Sequence, residues 1–208
     1  MKMSTELEII FLPGASGSTD FWQPVLHKLS FKHKHVIAYP SFGGHPEQEN
    51  IKSFSTLRQY VLKQISQNAV VIAQSMGGIF AVQAALQMPE KIQALVLVAT
   101  SGGIDLSRFD VKDWREEYKN TFQVPDWFVE HAEYLDEKLH EIKCPILLIW
   151  GDSDPISPVA VAVYLQQKLD HAELVVIEQG QHDLAYEYAD QVSAHIEHFL
   201  QQNLKAEL

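Results

Sequence analysis

The stretch Val-Ile-Ala-Gln-Ser-Met-Gly-Gly, residues 71–78, is an apolar run that ends at a serine and continues into two glycines. Two small residues, Ala73 and Gly77, lie two positions before and after Ser75 and let a strand and a helix approach closely there. Such a strand-to-helix turn lifts the hydroxyl above a sheet and points the first amides of the helix at a bound carbonyl. The stretch therefore predicts a nucleophile elbow at Ser75, with a serine that merely caps a core helix as the alternative.

Short apolar runs alternate with helical segments along the rest of the chain. The runs are mostly continuous, which is typical of strands buried on both faces of a parallel sheet. They are Ile9–Leu12, Val36–Tyr39, Ala69–Ala73, Ala94–Ala99, Ile146–Trp150 and Leu174–Ile177. Segments such as Asp20–Leu29 and Val159–Leu169 lie between the runs and have helical periodicity. The pattern predicts an α/β fold with a mostly parallel six-stranded sheet and helices on both faces.

One connection, residues 100–145, is much longer than the others. It exceeds them by about 20 residues, and a structureless loop of that size is uncommon in a compact domain. We therefore expect a single domain over residues 1–208 that carries a small helical cap insertion at about 103–140. Its aromatic residues are expected to form a small core of their own, with some facing a cavity. They are Phe109, Trp114, Tyr118, Phe122, Trp127, Phe128 and Tyr134.

Composition narrows the classes of partner. The formal net charge of −11 disfavours nucleic acid and anionic membrane surfaces, which need a basic footprint. No apolar run reaches the length of a bilayer span, and the first residues lack the apolar stretch of a secretory signal. Cys144 is the sole cysteine, so no internal disulfide forms, and its apolar surroundings favour a buried structural thiol. These features together predict a cytoplasmic protein.

The residues that follow the last two apolar runs contain a candidate acid and a candidate base. Ligands bind beyond the carboxyl ends of strands in open α/β sheets, so these positions carry the most information. Asp154 lies in a proline-bounded turn after the fifth run, where Asp152 competes with it and where capping of local amides is the alternative role. His182 lies in a glycine-containing loop after the sixth run.

The other histidines give no second candidate of equal weight. They lie on helices, in the long connection or in early loops. His195 and His198 share a helix face, but no carboxylate or cysteine pattern accompanies them, so a solvated face is favoured over a metal site.

A glycine-rich loop, Pro-Gly-Ala-Ser-Gly at residues 13–17, follows the first apolar run. It lacks the lysine of a P-loop, so a phosphate cradle is a weak interpretation. As an oxyanion loop, it supplies the backbone amide of Ala15, which pairs with the amide of Met76 at the start of the helix after Ser75.

Taken together, these segments resemble the α/β-hydrolase fold family, specifically small serine hydrolases with a reduced sheet and a short cap. The resemblance extends over essentially the whole chain and includes the family's order of serine, acid and histidine. It rests on the glycine loop at 13–17, the elbow at 73–77, the Gly-x-x-Asp-x-x-x-Pro turn at 151–158 and Gly-x-His at 180–182. Two positions depart from the family pattern: Ala73 replaces a glycine, and Pro13 stands where many relatives have a histidine.

The resemblance implies a serine hydrolase that cleaves a small carboxylic ester or related acyl substrate through Ser75, His182 and Asp154. The amides of Ala15 and Met76 form the oxyanion hole in this interpretation, and neither a cofactor nor a metal is needed. Lactone, thioester or carbon–carbon bond hydrolysis and perhydrolysis are alternatives on the same triad, because one fold supports many reactions. A non-catalytic binding protein of the same fold is the alternative from another functional class.

Overall fold

Parallel strands form the centre of the structure, a computed structural model that describes residues 6–122 and 124–204. Within these residues six strands build one sheet in the order β2-β1-β3-β4-β5-β6, and every neighbouring pair is parallel. The strands are β1 (Glu8–Leu12), β2 (Lys34–Val36), β3 (Ala69–Gln74), β4 (Ile92–Val98), β5 (Ile146–Gly151) and β6 (Ala172–Ile177). The predicted α/β class is therefore confirmed.

Helices cover both faces of the sheet, because successive side chains of each strand point to opposite sides. In β1, Ile10 and Leu12 pack into one apolar core, whereas Ile9 and Phe11 pack into another on the opposite face. The α-helices are α1 (Gln23–Lys28), α2 (Phe54–Gln64), α3 (Met76–Gln87), α4 (Arg115–Phe122), α5 (Asp126–Val129), α6 (Val159–Lys168), α7 (Leu184–Glu187) and α8 (Ala189–Asn203). Helices α2, α3 and α6 contribute to the first core, and α1 and α8 contribute to the second.

The second strand lies earlier in the chain than its apolar run suggested. It pairs with β1 over Lys34–Val36, whereas the sequence predicted Val36–Tyr39. Ile37 and Tyr39 lie beyond the paired residues and are buried, and the Tyr39 ring packs on Phe80 of α3 with centroids 5.6 Å apart. The start of the run still belongs to the sheet, since Val36 pairs with Phe11 and the Ile37 amide donates to the Phe11 carbonyl at 3.0 Å. The rest of the run reports burial in the core.

The connection between β4 and β5 contains the two short helices α4 and α5 and two 3₁₀ turns, Leu106–Arg108 and Asp136–Glu141. Phe128 of α5 packs against Phe42, in the loop after β2, with ring centroids 5.5 Å apart. The connection therefore reaches the loop after β2, and through Tyr164 it also contacts α6.

The strand order places a crevice at the centre of the sheet. The chain proceeds from β1 to one edge and then returns to add β3 on the other side of β1, so the loops after β1 and β3 leave in opposite directions. Ligands of open α/β sheets bind at this point. Among the described helices, none combines the length and the apolar character needed to cross a bilayer.

Candidate active site

Ser75 connects β3 to α3 in a strained backbone conformation. Its φ of 52° and ψ of −119° lie outside the regions that non-glycine residues favour. The backbone is held on both sides: the Ser75 amide donates to the Val98 carbonyl at 3.0 Å, and the Ser75 carbonyl accepts from the Gly78 amide at 3.0 Å. The turn is therefore fixed by β4 on one side and by the first turn of α3 on the other.

Gly77 lets α3 begin directly above the end of β1. A Cβ atom at Gly77 would lie 2.6 Å from each of the carbonyl oxygens of Leu12 and Pro13, and side chains do not tolerate contacts this short. Ala73, where the family pattern has glycine, is fully buried and pairs in register with Leu12 of β1 and Leu97 of β4. Its extra methyl group is accommodated within the sheet.

His182 lies between Ser75 and Asp154. Its Nε2 is 3.0 Å from the Ser75 hydroxyl oxygen, and its Nδ1 is 2.8 Å from Asp154 Oδ2. The His182 side chain is 13% exposed and the Asp154 side chain is 0% exposed. Gln74, next to Ser75, donates from its side-chain amide to the His182 carbonyl at 3.2 Å and holds the histidine loop against the elbow.

Asp154 and Asp152 have different roles in the turn after β5. The second oxygen of Asp154 accepts hydrogen bonds from the amides of Ile156 at 2.8 Å and Ser157 at 3.1 Å, so the whole carboxylate is fixed. Asp152 instead accepts from the Gln179 amide at 2.7 Å and caps the contact between two loops. The structure thus brings Asp154, and not Asp152, to the imidazole.

The loops that carry Asp154 and His182 touch each other through their backbones. A Cβ atom at Gly151 would lie 2.1 Å from the Gly180 carbonyl oxygen, and one at Gly180 would lie 2.9 Å from the Gly151 Cα. The Ser153 amide also donates to the Gly180 carbonyl at 3.0 Å. This close approach sets the separation of the carboxylate and the imidazole.

The glycine-rich loop after β1 lies directly against the elbow. A Cβ atom at Gly14 would lie 3.1 Å from the Ser75 Cβ, and the Gly17 amide closes a turn onto the Gly14 carbonyl at 3.0 Å. Ala15 and Met76 are both buried and line the same cavity as Ser75. Met76 is the first residue of α3, where amides have no intrahelical acceptor.

A cavity of about 420 Å³ contains Ser75 and His182 in its wall. Much of the remaining wall comes from the connection between β4 and β5. Five of the predicted aromatic residues line it: Phe109, Trp114, Tyr118, Phe128 and Tyr134. Trp127 packs against Phe42 instead, with ring centroids 5.9 Å apart, and the side chain of Phe122 lies outside the described part of the chain.

Tyr118 lines the cavity, and its phenol is affected by the charge of the Asp154 carboxylate. Burial, and secondarily the negative charge of Asp154, raise the pKa of Tyr118 above its ordinary value. The phenol therefore stays neutral at physiological pH and adds no charge to the cavity wall.

A polar group that the sequence did not single out also lines the cavity. His131 Nε2 lies 2.8 Å from Glu133 Oε2, and the imidazole stacks on the Phe54 ring with centroids 3.8 Å apart. Arg58 approaches the other Glu133 oxygen at 4.0 Å. Within the part of the chain that the structure describes, no group of three or more His, Cys, Asp or Glu side chains is arranged to hold a metal ion.

Thr100 is a further residue that sequence reasoning missed. It is 1% exposed, its hydroxyl donates to the Ser75 carbonyl, and it accepts from the Gly102 amide at 3.0 Å. Thr100 directly follows the fourth apolar run, so the rule that led to Asp154 and His182 also applies to it. Its position immediately after a strand could therefore have identified Thr100 from the sequence.

The known proteins that this chain resembles agree with the geometry of the site. Residues 9–132 match the family model described as alpha/beta hydrolase fold, and residues 114–206 match that of TAP-like protein. Serine hydrolase BPHL of Mus musculus is 27% identical over 237 residues, which cover 94% of this chain and 80% of that protein. The pimeloyl-(acyl-carrier protein) methyl ester esterase of Aliivibrio salmonicida is 22% identical over 241 residues, which cover 93% of this chain and 92% of that protein.

A solved structure has the same architecture. A lipase-esterase related protein from Clostridium acetobutylicum superposes with a TM-score of 0.78 at 16% sequence identity, covering 94% of this chain and 95% of that one.

Proposed function

The chain belongs to the α/β-hydrolase fold family and is a hydrolase, and we propose that it cleaves a small carboxylic ester or related acyl substrate through Ser75, His182 and Asp154. The observation that carries this proposal is the chain of contacts at one end of the sheet. The His182 imidazole lies 3.0 Å from the Ser75 hydroxyl and 2.8 Å from a fully buried Asp154 carboxylate. A hydroxyl, a base and an orienting acid at hydrogen-bond distance are what nucleophilic acyl transfer requires.

Acylation begins when the Ser75 oxygen attacks the substrate carbonyl carbon. His182 Nε2 takes the hydroxyl proton as the new C–O bond forms, and the carbonyl oxygen becomes an oxyanion. The bond to the leaving alkoxide then breaks, and the imidazolium returns its proton to that oxygen, so an alcohol departs. Asp154 accepts a hydrogen bond from Nδ1–H, which fixes the tautomer and stabilises the imidazolium.

The amides of Ala15 and Met76 are the proposed oxyanion donors. Both residues line the cavity beside Ser75, and Met76 adds the positive end of the α3 dipole. Loss of one such donor typically costs about 3–4 kcal/mol of transition-state stabilisation.

Deacylation uses the same groups in reverse. A water molecule attacks the acyl carbon of the Ser75 ester while His182 Nε2 takes a proton from it. Collapse of the second tetrahedral intermediate breaks the bond to the Ser75 oxygen, which regains a proton from His182. The carboxylic acid then leaves.

The cavity supports a small, largely apolar substrate. A volume of about 420 Å³ lies in the range of small-molecule sites, and aromatic rings form much of its wall. We propose that residues 103–140 act as a cap on a single hydrolase domain and exclude water from the acyl group. The name of the Aliivibrio relative, a methyl ester esterase, supports an ester with a small alcohol.

Covalent labelling tests the nucleophile directly. We expect a fluorophosphonate probe to label the wild-type protein at Ser75, identified by peptide mass spectrometry. Ser75→Ala should abolish labelling, and His182→Ala should slow it strongly because the base is lost. Absence of label in a correctly folded wild-type protein, or labelling that His182→Ala leaves unchanged, would favour a non-catalytic binding protein of this fold.

The two aspartates of the turn after β5 give a matched pair for the acid. Asp154→Asn should lower kcat on p-nitrophenyl acetate by about 10³- to 10⁴-fold, because it no longer holds the reactive tautomer. Asp152→Asn removes a loop cap and should change kcat much less. A larger loss for Asp152→Asn contradicts the assignment of Asp154 as the acid.

A further inference from the structure

Hydrogen bonds behind the proposed triad join the Ser75 elbow to the Asp154 turn by a second route. We propose that Thr100 and Ser157 are positioning residues that hold the nucleophile and the acid at the separation that His182 bridges. The inference rests on the proposed function of Ser75, His182 and Asp154. Neither hydroxyl takes part in the proton transfers described above.

Thr100 holds the strained elbow from below. It lies at the end of β4, beside β3, and its hydroxyl donates to the Ser75 carbonyl, the same oxygen that accepts from the Gly78 amide. Its side chain fits closely under α3, since a Cβ atom at Gly78 would lie 2.2 Å from Thr100 Oγ1. The hydroxyl thus supplies the second of two bonds that oppose rotation of the Ser75 peptide.

Ser157 connects the acid turn to the same residue. Its hydroxyl accepts from the Trp150 indole at 3.2 Å and donates to the Thr100 carbonyl at 3.4 Å. Its amide donates to Asp154 Oδ1 at 3.1 Å. Ser157 is 4% exposed, so the hydroxyl cannot exchange these partners for solvent without opening the turn.

Together these contacts close a ring. One path from Ser75 to Asp154 runs through the imidazole of His182, and the other runs through Thr100 and Ser157. The second path fixes the separation between Ser75 and Asp154, which the His182 imidazole must contact at the same time. A misplacement of about 1 Å can lower a rate by roughly 100-fold, so a rigid frame on this path affects turnover directly.

A purely structural role for the two hydroxyls predicts a different result from a positioning role. Buried hydroxyls that only satisfy polar groups would, when removed, lower the melting temperature and leave kcat of the folded fraction unchanged. A positioning role predicts a fall in kcat at temperatures where the variant is fully folded. KM should change little, because Thr100 lies outside the cavity wall and Ser157→Ala removes a single hydroxyl from it.

Thr100→Val, Thr100→Ser and Ser157→Ala form the test, with p-nitrophenyl acetate as substrate. Thr100→Val removes the hydroxyl at constant shape and should lower kcat by about 10- to 100-fold with KM within about twofold. Thr100→Ser keeps the hydroxyl and should restore most of the loss. Ser153→Ala is the matched control, since its hydroxyl lies in the same turn but bonds to Asp152 outside the ring.

The double variant examines whether the two residues act through one path. If they do, Thr100→Val combined with Ser157→Ala should lower kcat by little more than the larger single effect, whereas independent effects multiply. Should Thr100→Val fail to fold, Ser157→Ala against Ser153→Ala carries the comparison alone.

Two outcomes overturn the inference. If the folded variants keep wild-type kcat while the fluorophosphonate probe still labels Ser75, the positioning role is wrong and the proposed function stands. If the wild-type protein neither labels nor turns over substrate, both are wrong.

Discussion

Ser75 holds a backbone conformation that costs free energy, because a Cβ atom is disfavoured at its φ of 52°. Strain of this kind is worth roughly 1–3 kcal/mol per residue. We expect Ser75→Gly to have a higher free energy of unfolding than Ser75→Ala, by about 1 kcal/mol, since alanine keeps the strain and glycine relieves it. Urea denaturation followed by circular dichroism measures the difference.

The control for this substitution is a glycine placed where no strain exists. Ala84→Gly lies within α3 and should lower stability by about 1 kcal/mol through lost helix propensity and packing. If Ser75→Gly proves less stable than Ser75→Ala, the elbow is not a site of stored strain.

Cys144 gives a prediction about pH. Burial raises the pKa of its thiol to about 11, so the folded chain keeps the proton at pH values where an unfolded chain loses it. The contribution of this thiol to the free energy of unfolding is therefore fully present below the ordinary thiol pKa of 9, and it is lost as the pH rises towards 11. In Cys144→Ser, the free energy of unfolding should therefore decrease less between pH 9 and pH 11 than in the wild-type protein.

Cys144 is partly buried in the structure rather than fully buried as expected, and its raised pKa should slow its reaction with thiol reagents. Reaction with a disulfide reagent at pH 8 is expected to be slow in the native protein and fast in concentrated urea, because the thiolate is the reactive form. Equal rates in the two conditions would show that Cys144 is accessible in the folded state.

At the scale of elements, apolar runs predicted where the chain is buried better than where it pairs. Ile37 and Tyr39 belong to the predicted second strand, yet both lie in the core beyond the last β1–β2 pair. β6 was expected to be buried on both faces, but it forms an edge of the sheet and Val176 is 43% exposed. At the edges of the sheet, the residues that are buried are not the same as the residues that pair. The local sequence does not specify which strand lies next to which.

The candidate site was predictable wherever it depends on a strand end. Ser75, Asp154 and His182 each follow an apolar run closely, and the structure brings them together, while their catalytic roles stay a prediction. His131 and Glu133 come from the long connection between β4 and β5, and they reach the cavity only through tertiary packing of that segment. No spacing along the chain encodes that arrangement.

The connection between β4 and β5 is held to α6 by Tyr164. The Arg108 guanidinium donates to the Tyr164 hydroxyl at 2.9 Å, and that hydroxyl donates to Asp136 Oδ1 at 3.0 Å. We expect Tyr164→Phe to loosen the connection, raise KM several-fold and leave kcat nearly unchanged. Limited proteolysis should show faster cleavage within residues 103–140.

Tyr60→Phe on α2 serves as the matched control for Tyr164→Phe, because it removes a hydroxyl from a helix on another part of the fold. Unchanged KM and unchanged proteolysis in Tyr164→Phe would mean that apolar packing alone holds the connection in place.

At the scale of the whole molecule, the cavity between the sheet and the connection limits the substrate. On a series of p-nitrophenyl esters from acetate to palmitate, kcat/KM should be highest at short acyl chains, because the cavity, with a volume of about 420 Å³, is small and is lined by aromatic side chains. Trp114→Ala removes one of these aromatic side chains and should move the highest kcat/KM to esters with longer acyl chains. A flat profile, or an optimum at palmitate, contradicts an enclosed site.

The positions of the three side chains along the polypeptide have a consequence for biosynthesis. Ser75 is made early, but Asp154 and His182 are added only after β5, and β6 must pair before the imidazole can reach the hydroxyl. Under the proposed mechanism, a nascent chain therefore carries an unactivated serine until residue 182 has been added. Truncated translation products that stop before residue 182 are expected to lack the proposed hydrolytic activity, so the serine becomes reactive only when synthesis is nearly complete.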